Sequence, residues 1–349
     1  MTRYRPADLV GFATALFAAT GMDGDKPATI AEILVEADLM GHDTHGLALA
    51  PNYLKEIEDG AMRTTGEPEV VSDHKAALVW DAKRLSGVWI TARAIDIACE
   101  RASDYGVATV SVRESHHIAC LAAYLTRATN RGQVVLIASS DPAVASVAPV
   151  GGLDPVFTPD PFAAGIPTTR DPILIDMSSS ITTNGMAGRL NASGEHFPGK
   201  WAQDHAGNAT NDPRILFQEP KGTLLPTGGH DHGHKGYGMA LIVESLSQGL
   251  SGDKRRSQPG YWGAAIFIQV FEPEAFAGRA IFSEATSELV SLCHGSRPAV
   301  GVEKVRLPGE RALARKREAM HRGVALYPGI IDKLAPWAEK LGVPLPATI

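Results

Sequence analysis

The amino-acid sequence predicts an α/β fold with a mixed sheet, flanking helices, and helical segments at the N- and C-terminal ends. In residues 107–141, two short aliphatic runs enclose a segment whose apolar residues repeat at helical spacing. Apolar residues repeat at the same spacing near both ends of the chain. The 349 residues are 44% hydrophobic and 21% charged, which excludes the disordered and fibrous classes of protein.

The two aliphatic runs, residues 107–112 and 134–138, are predicted to be parallel strands, because the segment between them is long enough for a helical crossover. Parallel strands end at the same edge of a sheet. His116 and His117 follow the first strand, and Ser140 and Asp141 follow the second. Open α/β sheets bind ligands at this edge, so we expect a histidine pair and an acidic loop to line a site there.

Two helices are predicted before this unit, over residues 9–19 and from Pro27 to a stop at Gly41. The polar loop that follows contains His42, Asp43, Thr44 and His45, and a third helix carries Tyr53. Two interpretations of the loop stay open. It either contributes to a functional site, or Asp43 or Thr44 caps the third helix and the histidines are solvated.

The remaining elements are predicted from the same patterns. We expect strands at 69–73 and 76–81, a helix from Ser86 to Gly106, and a strand at 173–175 that leads into Asp176 and three serines. Residues 185–227 are predicted to be a long irregular surface segment. Further expected elements are a helix with Met239, Ile242, Val243 and Leu246 inward, a strand at 263–271, a helix at 285–293, a strand at 304–307, and helices from Pro308 and at 330–341.

Charge, cysteine content and hydrophobic runs bear on the partners and the cellular compartment of the protein. The net charge is −6 with both signs interspersed, which argues against a nucleic-acid partner. Three widely spaced cysteines indicate a reducing compartment rather than a disulfide framework. The apolar run at 9–19 is shorter than the ~20 residues that span a membrane, and it fits one face of a helix. We therefore expect a cytoplasmic protein with no membrane segment.

Several familiar motifs are missing from the sequence. It contains no GxGxxG fingerprint, no Walker phosphate loop and no GxSxG motif, so a Rossmann fold and a serine hydrolase have no support. His230, His232 and His234 alternate, and an extended segment would project all three to one side, as a metal site requires. The adjacent Lys235 would repel a cation, so we favour a solvated or substrate-facing loop and predict no metal ligand.

The chemistry expected at the sheet edge is proton transfer. Histidine titrates near neutrality, and a carboxylate beside it can fix its tautomer and raise its basicity. His116 and His117 beside Asp141 would suit reversible proton transfer to a carbonyl or alcohol oxygen.

Taken together, these motifs resemble the malate/L-lactate dehydrogenase type 2 family, which also contains sulfolactate and ureidoglycolate dehydrogenases, diketogulonate reductases and cyclic-imine carboxylate reductases. The resemblance covers nearly the whole chain in order. It rests on DTHG at 43–46, SHH at 115–117, VAPVGG at 147–152, TPDPFAAGIP at 158–167, IDMSSS at 175–180, PGKWAQDHAGNATNDP at 198–213, LLPTGG at 224–229, KGYGMAL at 235–241 and PGE at 308–310.

The resemblance implies an oxidoreductase that uses NAD or NADP, with a small-molecule substrate and a dinucleotide-binding fold that is not a Rossmann fold. It further implies a homodimer with each active site near the subunit boundary. On this basis we expect residues 76–304 to form the dinucleotide-binding region, and residues 1–75 plus 305–349 to form a mainly helical substrate and dimer region.

The resemblance also assigns roles to individual residues. It implies that His117, rather than His116, is the general acid/base. We further predict that Asp141, which would orient this imidazole, and His45 are catalytic residues. Substrate contacts are expected from Thr44, His45, Tyr53 and His116. Cofactor contacts are expected from Ser140, Thr158, Asp176, Met177, Ser178, Lys235, Pro308, Gly309 and Glu310.

Three departures from the family pattern bear on the function. Leu49 stands where the family typically has an arginine for the substrate carboxylate, so either another cation binds that group or the substrate differs there. Glu114 and Asp160 also replace typical family residues. The sequence therefore predicts interconversion of a 2-oxo acid and a 2-hydroxy acid. The alternatives are cyclic-imine carboxylate reduction, a catalytically weakened ligand-binding paralogue and, more remotely, a metal-dependent hydrolase.

Overall fold

The computed structural model describes residues 2–254 and 262–349. A seven-stranded mixed sheet runs through the molecule in the order β1-β2-β3-β10-β4-β5-β6. Its strands are β1 (Glu69–Asp73), β2 (Ala77–Asp81), β3 (Val107–Ser115), β4 (Val134–Ser140), β5 (Pro161–Ile166), β6 (Ile173–Ser178) and β10 (Ala264–Phe271). A second sheet, in the order β8-β7-β9, contains β7 (Ala202–Gln203), β8 (Ala209–Thr210) and β9 (Thr223–Leu224). The predicted α/β class with a mixed sheet is confirmed.

The β3 and β4 strands run in the same direction, as predicted, but they are not neighbours. The β10 strand lies between them and is antiparallel to both. Ala264 pairs with Ser115 and Ala265 pairs with Ser140, so the carboxyl ends of β3 and β4 and the start of β10 meet at one edge. The local sequence pattern could not show this insertion, because β10 begins more than 120 residues after the ends of both β3 and β4.

Helices cover the sheet and form both ends of the chain, as predicted. The largest apolar cluster joins the first two helices to the sheet and to the two helices that flank β3. Gly41 ends the second helix in a left-handed conformation, with φ of 86°, which glycine adopts without strain. The helices are α1 (Pro6–Ala19), α2 (Lys26–Met40), α3 (Ala50–Glu58), α4 (Gly87–Tyr105), α5 (Ala122–Thr129), α6 (Asn184–Ser193), α7 (Gly229–His232), α8 (His234–Glu244), α9 (Arg279–Gly295), α10 (Glu310–Arg322) and α11 (Ile330–Leu341).

Residues 185–227 are more ordered than predicted. They contain most of α6 and all of the small sheet, because scattered apolar residues such as Phe197 and Leu224 pack into a separate buried cluster. Single buried residues between glycines give no periodic signal, so the sequence pattern missed them. The strand expected at 304–307 is also absent from the structure.

The histidine-rich segment is helical rather than extended. His230 and His232 lie in α7, and His234 begins α8. Because the segment turns, the alternate histidines do not project to one side as an extended strand would require. Ile242 on α8 is 53% exposed, so the prediction that it faces the core is wrong.

The division into a helical region and a dinucleotide-binding region stays a prediction. The β1 strand, which falls within residues 1–75, pairs with β2 and extends the large sheet. Among the described helices, none is long and apolar enough to cross a membrane.

Candidate active site

A cavity of about 1000 Å³ opens at the edge where β3, β4 and β6 end and β10 begins. This volume is at the upper end of the range typical of small-molecule sites. The polar loop before α3 forms one wall and the start of α6 forms another. The lining includes His42, Asp43, Thr44, His45, Leu49, His117, Ser140, Asp141, Thr158, Asp176, Met177, Ser178, Met186, Leu190 and Trp262. The sequence-predicted edge of the sheet is therefore a ligand-sized site.

His117 is held by contacts on both sides of its ring. The hydroxyl of Tyr53 lies 2.8 Å from Nδ1 of His117, and the indole of Trp262 stacks on the imidazole with ring centroids 4.6 Å apart. The backbone N–H of Ala119 donates to the same Nδ1 at 3.3 Å. A nitrogen that accepts this N–H carries no hydrogen itself. The free imidazole is therefore assigned the tautomer with its hydrogen on Nε2.

His117 is neutral in the free protein. Burial, with a smaller contribution from nearby His45, lowers the pKa of His117 from 6.5 to about 3. A negative charge on a bound ligand would favour the protonated imidazole and raise this pKa. The ring is thus placed to gain or lose a proton in response to charge in the cavity.

His45 lies across the cavity from His117, with ring centroids 6.1 Å apart. Its Nδ1 is 2.8 Å from the hydroxyl of Thr44, which fixes the orientation of the ring. Burial lowers the pKa of His45, while the carboxylate of Asp176 opposes this shift. The predicted residues Thr44, His45 and His117 are therefore brought together at one end of the cavity.

The loop that carries Thr44 and His45 rests on a partly buried carboxyl group. Oδ2 of Asp38 accepts the backbone N–H of Leu47 at 2.8 Å. A Cβ at Gly46 would lie 2.4 Å from Oδ1 of Asp38, so the close approach requires glycine. Burial raises the pKa of Asp38 to about 7. The protonation state of Asp38, and with it the support that this carboxyl group gives to the loop, consequently changes with pH near neutrality.

A second contact ties the loop to the opposite wall. Arg189 on α6 forms an ion pair with Asp43 at 3.0 Å, and its guanidinium lies 4.0 Å from the ring centre of Tyr327. Because Asp43 precedes Thr44, this ion pair joins the polar loop to the helix that faces it across the cavity.

Two predicted substrate contacts are corrected by the structure. Tyr53 and His116 are both buried, and neither is among the residues that line the cavity. Tyr53 lies behind His117. His116 directs Nε2 toward Glu56 at 3.0 Å. This contact is a hydrogen bond rather than an ion pair, since burial, with a smaller contribution from the positive charge of Arg84, holds the pKa of His116 well below its usual value.

The predicted orienting role of Asp141 is also corrected. Asp141 lines the cavity, but its Oδ1 accepts the backbone N–H groups of Ala143 and Val144, and Oδ2 accepts that of Gly263. A carboxylate that follows a strand commonly bonds to its own turn in this way. The group at Nδ1 of His117 is the hydroxyl of Tyr53 instead.

The residues assigned to the cofactor fall into two sets. Five of them line the cavity: Ser140, Thr158, Asp176, Met177 and Ser178. The other four do not line it: Lys235, Pro308, Gly309 and Glu310. Lys235 is on α8, and the carbonyl of Pro308 accepts the backbone N–H of Leu174. The second set therefore remains a sequence-based prediction.

The three residues that depart from the family pattern, Leu49, Asp160 and Glu114, lie in different structural surroundings. Leu49 lies in the cavity wall. Asp160 is fully buried and accepts the hydroxyl of Thr158 at 2.5 Å, so its carboxylate points into the protein. Glu114 has a left-handed backbone, with φ of 52°. Only Leu49 among the three changes the surface that a ligand contacts.

Trp262 and Cys120 line the cavity but are not among the predicted site residues. His42 also lines it, and the sequence had left open whether its loop is functional or solvated. Trp262 comes just before β10, so only the insertion of that strand between β3 and β4 brings it to His117. Cys120 follows the histidine pair and was interpreted only as evidence of a reducing compartment.

Comparison with known proteins identifies the family of this chain. Residues 4–335 match the malate/L-lactate dehydrogenase family. The chain belongs to this family. It is therefore a dehydrogenase or reductase of the malate/L-lactate dehydrogenase family, and its fold is that family's mixed-sheet fold.

The family's relatives align along almost the whole chain. An L-lactate dehydrogenase from Cupriavidus necator is 30% identical over 341 residues, which cover 95% of each chain. A malate dehydrogenase from Pyrococcus abyssi is 28% identical, covering 96% of this chain and 94% of the relative. The crystal structure of malate dehydrogenase from Entamoeba histolytica superimposes with a TM-score of 0.94 over 99% of this chain and 100% of the other, at 24% identity. This last similarity concerns the fold alone.

Proposed function

We propose that this member of the malate/L-lactate dehydrogenase family interconverts a 2-oxo acid and a 2-hydroxy acid, with His117 as the general acid/base. The observation that carries the proposal is the fixed imidazole at the cavity edge, with Nδ1 against Tyr53. Nε2 is then the nitrogen available to a substrate oxygen. General acid/base catalysis of this kind contributes ~10²–10⁴-fold to a rate.

The Tyr53 hydroxyl suits both directions of the reaction, because it can donate a hydrogen bond to Nδ1 or accept one from it. In the reductive direction, the protonated ring donates Nδ1–H to Tyr53 and gives its Nε2 proton to the oxygen that becomes the alcohol. In the oxidative direction, the neutral ring first takes the other tautomer, in which Nδ1–H is donated to Tyr53, so that Nε2 can accept the alcohol proton. Thr44 and His45 would contact the same substrate from the polar loop.

The residues of the cavity fit a nicotinamide cofactor, NAD or NADP. The fit rests on the size of the cavity and on its polar lining residues, which include Ser140, Thr158 and Ser178. When bound, the cofactor supplies or accepts the hydride. Ser140 is fixed for this purpose by hydrogen bonds with Ser247 at 2.7 Å and with Gln248 at 3.0 Å.

The substituent of the substrate is proposed to be apolar rather than a second anionic group. The cavity wall beside the polar loop and α6 contains three apolar side chains, those of Leu49, Met186 and Leu190. No lysine or arginine is among the lining residues that the structure describes, so the carboxylate of the 2-oxo acid is proposed to be bound by hydrogen-bond donors such as Thr44 and His45. A second carboxylate would add another negative charge with no cationic partner in this lining. Leucine at position 49 would instead contact an aliphatic or aromatic substituent.

A homodimer is proposed from the exposed apolar side chains of two helices. Leu241 and Ile242 on α8 are exposed, and α9 buries none of its side chains although it carries Leu289 and Leu292. Exposed apolar groups at this density are typical of protein interfaces. Light scattering of the purified protein would test this, with a monomer contradicting it.

The proposed reaction is tested by two measurements on one preparation. Fluorescence titration with NADH and with NADPH measures cofactor binding, and loss of reduced cofactor is then followed across a panel of 2-oxo acids and cyclic imines. We expect saturable binding of one nucleotide and turnover of 2-oxo acids with apolar substituents. Absence of turnover across the 2-oxo acids, despite cofactor binding, would contradict the proposed reaction.

A further inference from the structure

The strongest unassigned feature of the described residues is a cluster of three different metal-ligating groups in the cavity wall. We propose that His42, Cys120 and Asp176 form a binding site for a divalent transition-metal ion such as Zn²⁺, and that the bound ion inhibits the enzyme. This revises the sequence-based expectation of no metal ligand, which concerned the histidines at 230–234.

The geometry is close to that of a tetrahedral site. One potential ligand atom from each of the three residues lies within 4.8 Å of the other two. Sγ of Cys120 is already 3.6 Å from Oδ2 of Asp176. Zinc–ligand bonds of ~2.0–2.3 Å at tetrahedral angles place ligand atoms about 3.3–3.7 Å apart. The cysteine and aspartate therefore match this spacing, and His42 would have to approach them by at most about 1 Å.

The backbone around the three groups favours this adjustment. Cys120 is buried, and Oδ2 of Asp176 accepts the backbone N–H of Ala122 at 2.8 Å, so these two ligands are fixed. His42 is only partly buried, and it follows the left-handed Gly41 in the polar loop. The ligand that has to move is thus partly exposed, whereas Cys120 is buried.

The donor set selects among metal ions. A thiolate, an imidazole and a carboxylate suit Zn²⁺ or Co²⁺, whereas Mg²⁺ and Ca²⁺ prefer oxygen ligands alone. Coordination replaces the thiol proton of Cys120 with the metal ion and releases that proton to solvent. Three protein ligands leave one tetrahedral position, which a water molecule would take.

Inhibition follows from the position of the cluster. His42, Cys120 and Asp176 all line the cavity that contains His45 and His117. A metal ion with its water would occupy part of this volume, and coordination of His42 would hold the polar loop that carries Thr44. Substrate and metal ion should therefore exclude each other.

Cobalt(II) reports on this site without any turnover. We expect chelator-treated full-length protein to bind one Co²⁺ per chain, with a thiolate-to-metal charge-transfer band in the near ultraviolet and visible bands of tetrahedral Co²⁺. Zn²⁺ should displace the cobalt and abolish both signals. In the enzyme assay, Zn²⁺ should inhibit in competition with substrate, and a chelator should restore the rate.

The matched controls are two cysteine variants and one histidine variant. Cys120→Ser should lose the charge-transfer band, whereas Cys99→Ser, which removes the other buried cysteine, should keep it. His42→Gln should weaken Co²⁺ binding at least 10-fold while circular dichroism shows the native fold. No tetrahedral spectrum with the wild type, or an unchanged spectrum with Cys120→Ser, would overturn the proposal. These spectra are independent of whether the enzyme turns over 2-oxo acids, so failure of one proposal is distinguished from failure of the other.

Discussion

The hydroxyl of Tyr53 on α3 lies 2.8 Å from Nδ1 of His117, which follows β3. This single contact joins the N-terminal helical segment to the sheet edge at the site of the proposed proton transfer. It also fixes the face that the imidazole presents to the cavity, because Nδ1 is engaged and Nε2 remains for a ligand. The orienting group is therefore a neutral hydroxyl rather than the carboxylate that the sequence suggested.

Replacing Tyr53 with phenylalanine removes this hydroxyl and retains the ring. We expect Tyr53→Phe to lower kcat about 10-fold and to shift the pH profile of kcat, since loss of one hydrogen bond is worth ~0.5–1.5 kcal/mol. Tyr124→Phe is the matched control, because Tyr124 is also buried and its hydroxyl donates to the carbonyl of Ile118 at 2.7 Å. Identical pH profiles for Tyr53→Phe and the wild type would refute the orienting role.

Asp38 should make stability depend on pH near neutrality. Its pKa is raised from 3.8 to about 7 in the folded protein, so the folded state binds more protons than the unfolded state between these values. The stabilisation is complete below about pH 4 and is lost as the pH rises through 7, at ~1.4 kcal/mol per pH unit. Asp38→Asn should remove this contribution in urea unfolding between pH 5 and 8. The same slope in Asp38→Asn and in the exposed control Asp104→Asn would contradict it.

His117 should change the free energy of unfolding with pH in the direction opposite to Asp38. Its pKa is lowered from 6.5 to about 3, so the unfolded chain binds the additional proton. The free energy of unfolding should therefore fall as the pH drops below 6.5, by ~1.4 kcal/mol per pH unit from this histidine. His117→Gln should flatten the acid limb of the stability curve, whereas exposed His74→Gln should leave it unchanged. An unaltered acid limb in His117→Gln would mean that the folded protein protonates this ring readily.

Leu49 should determine which substituent the substrate carries. We expect Leu49→Arg to improve kcat/KM for 2-oxo dicarboxylic acids and to reduce it for 2-oxo acids with apolar substituents, by about 10-fold or more in each direction, because a charged guanidinium pairs with carboxylate. Leu49→Met, which conserves apolar volume, is the control and should keep the original preference. A wild-type preference for dicarboxylic substrates would contradict the proposed substrate class.

The sequence predicted the sheet edge because the relevant signals are local. The strands at β3 and β4, and the side chains that follow them, form a compact strand–helix–strand unit in which His117 and Ser140 must end at the same side. The direction of these strands was therefore predictable without knowledge of the rest of the fold.

The residues that contact the imidazole of His117 could not be predicted from local sequence patterns. Tyr53 is 64 residues away in the chain, and Trp262 reaches the ring only because β10 inserts between β3 and β4, which the sequence predicted only to be parallel. Asp141 was assigned to the imidazole because it follows β4 at the same edge. Its oxygens instead accept backbone N–H groups, a local alternative that the spacing of residues does not reveal.

The role of His117 is tested most directly by the turnover of His117→Gln, measured with saturating reduced nucleotide and a 2-oxo acid that the wild type reduces. We expect kcat to fall by ~10²–10⁴-fold. The dissociation constant for the nucleotide should change by less than about 3-fold, because the five cavity-lining residues assigned to the cofactor are untouched. A kcat within a few-fold of the wild type would contradict the assignment of His117 as the general acid/base.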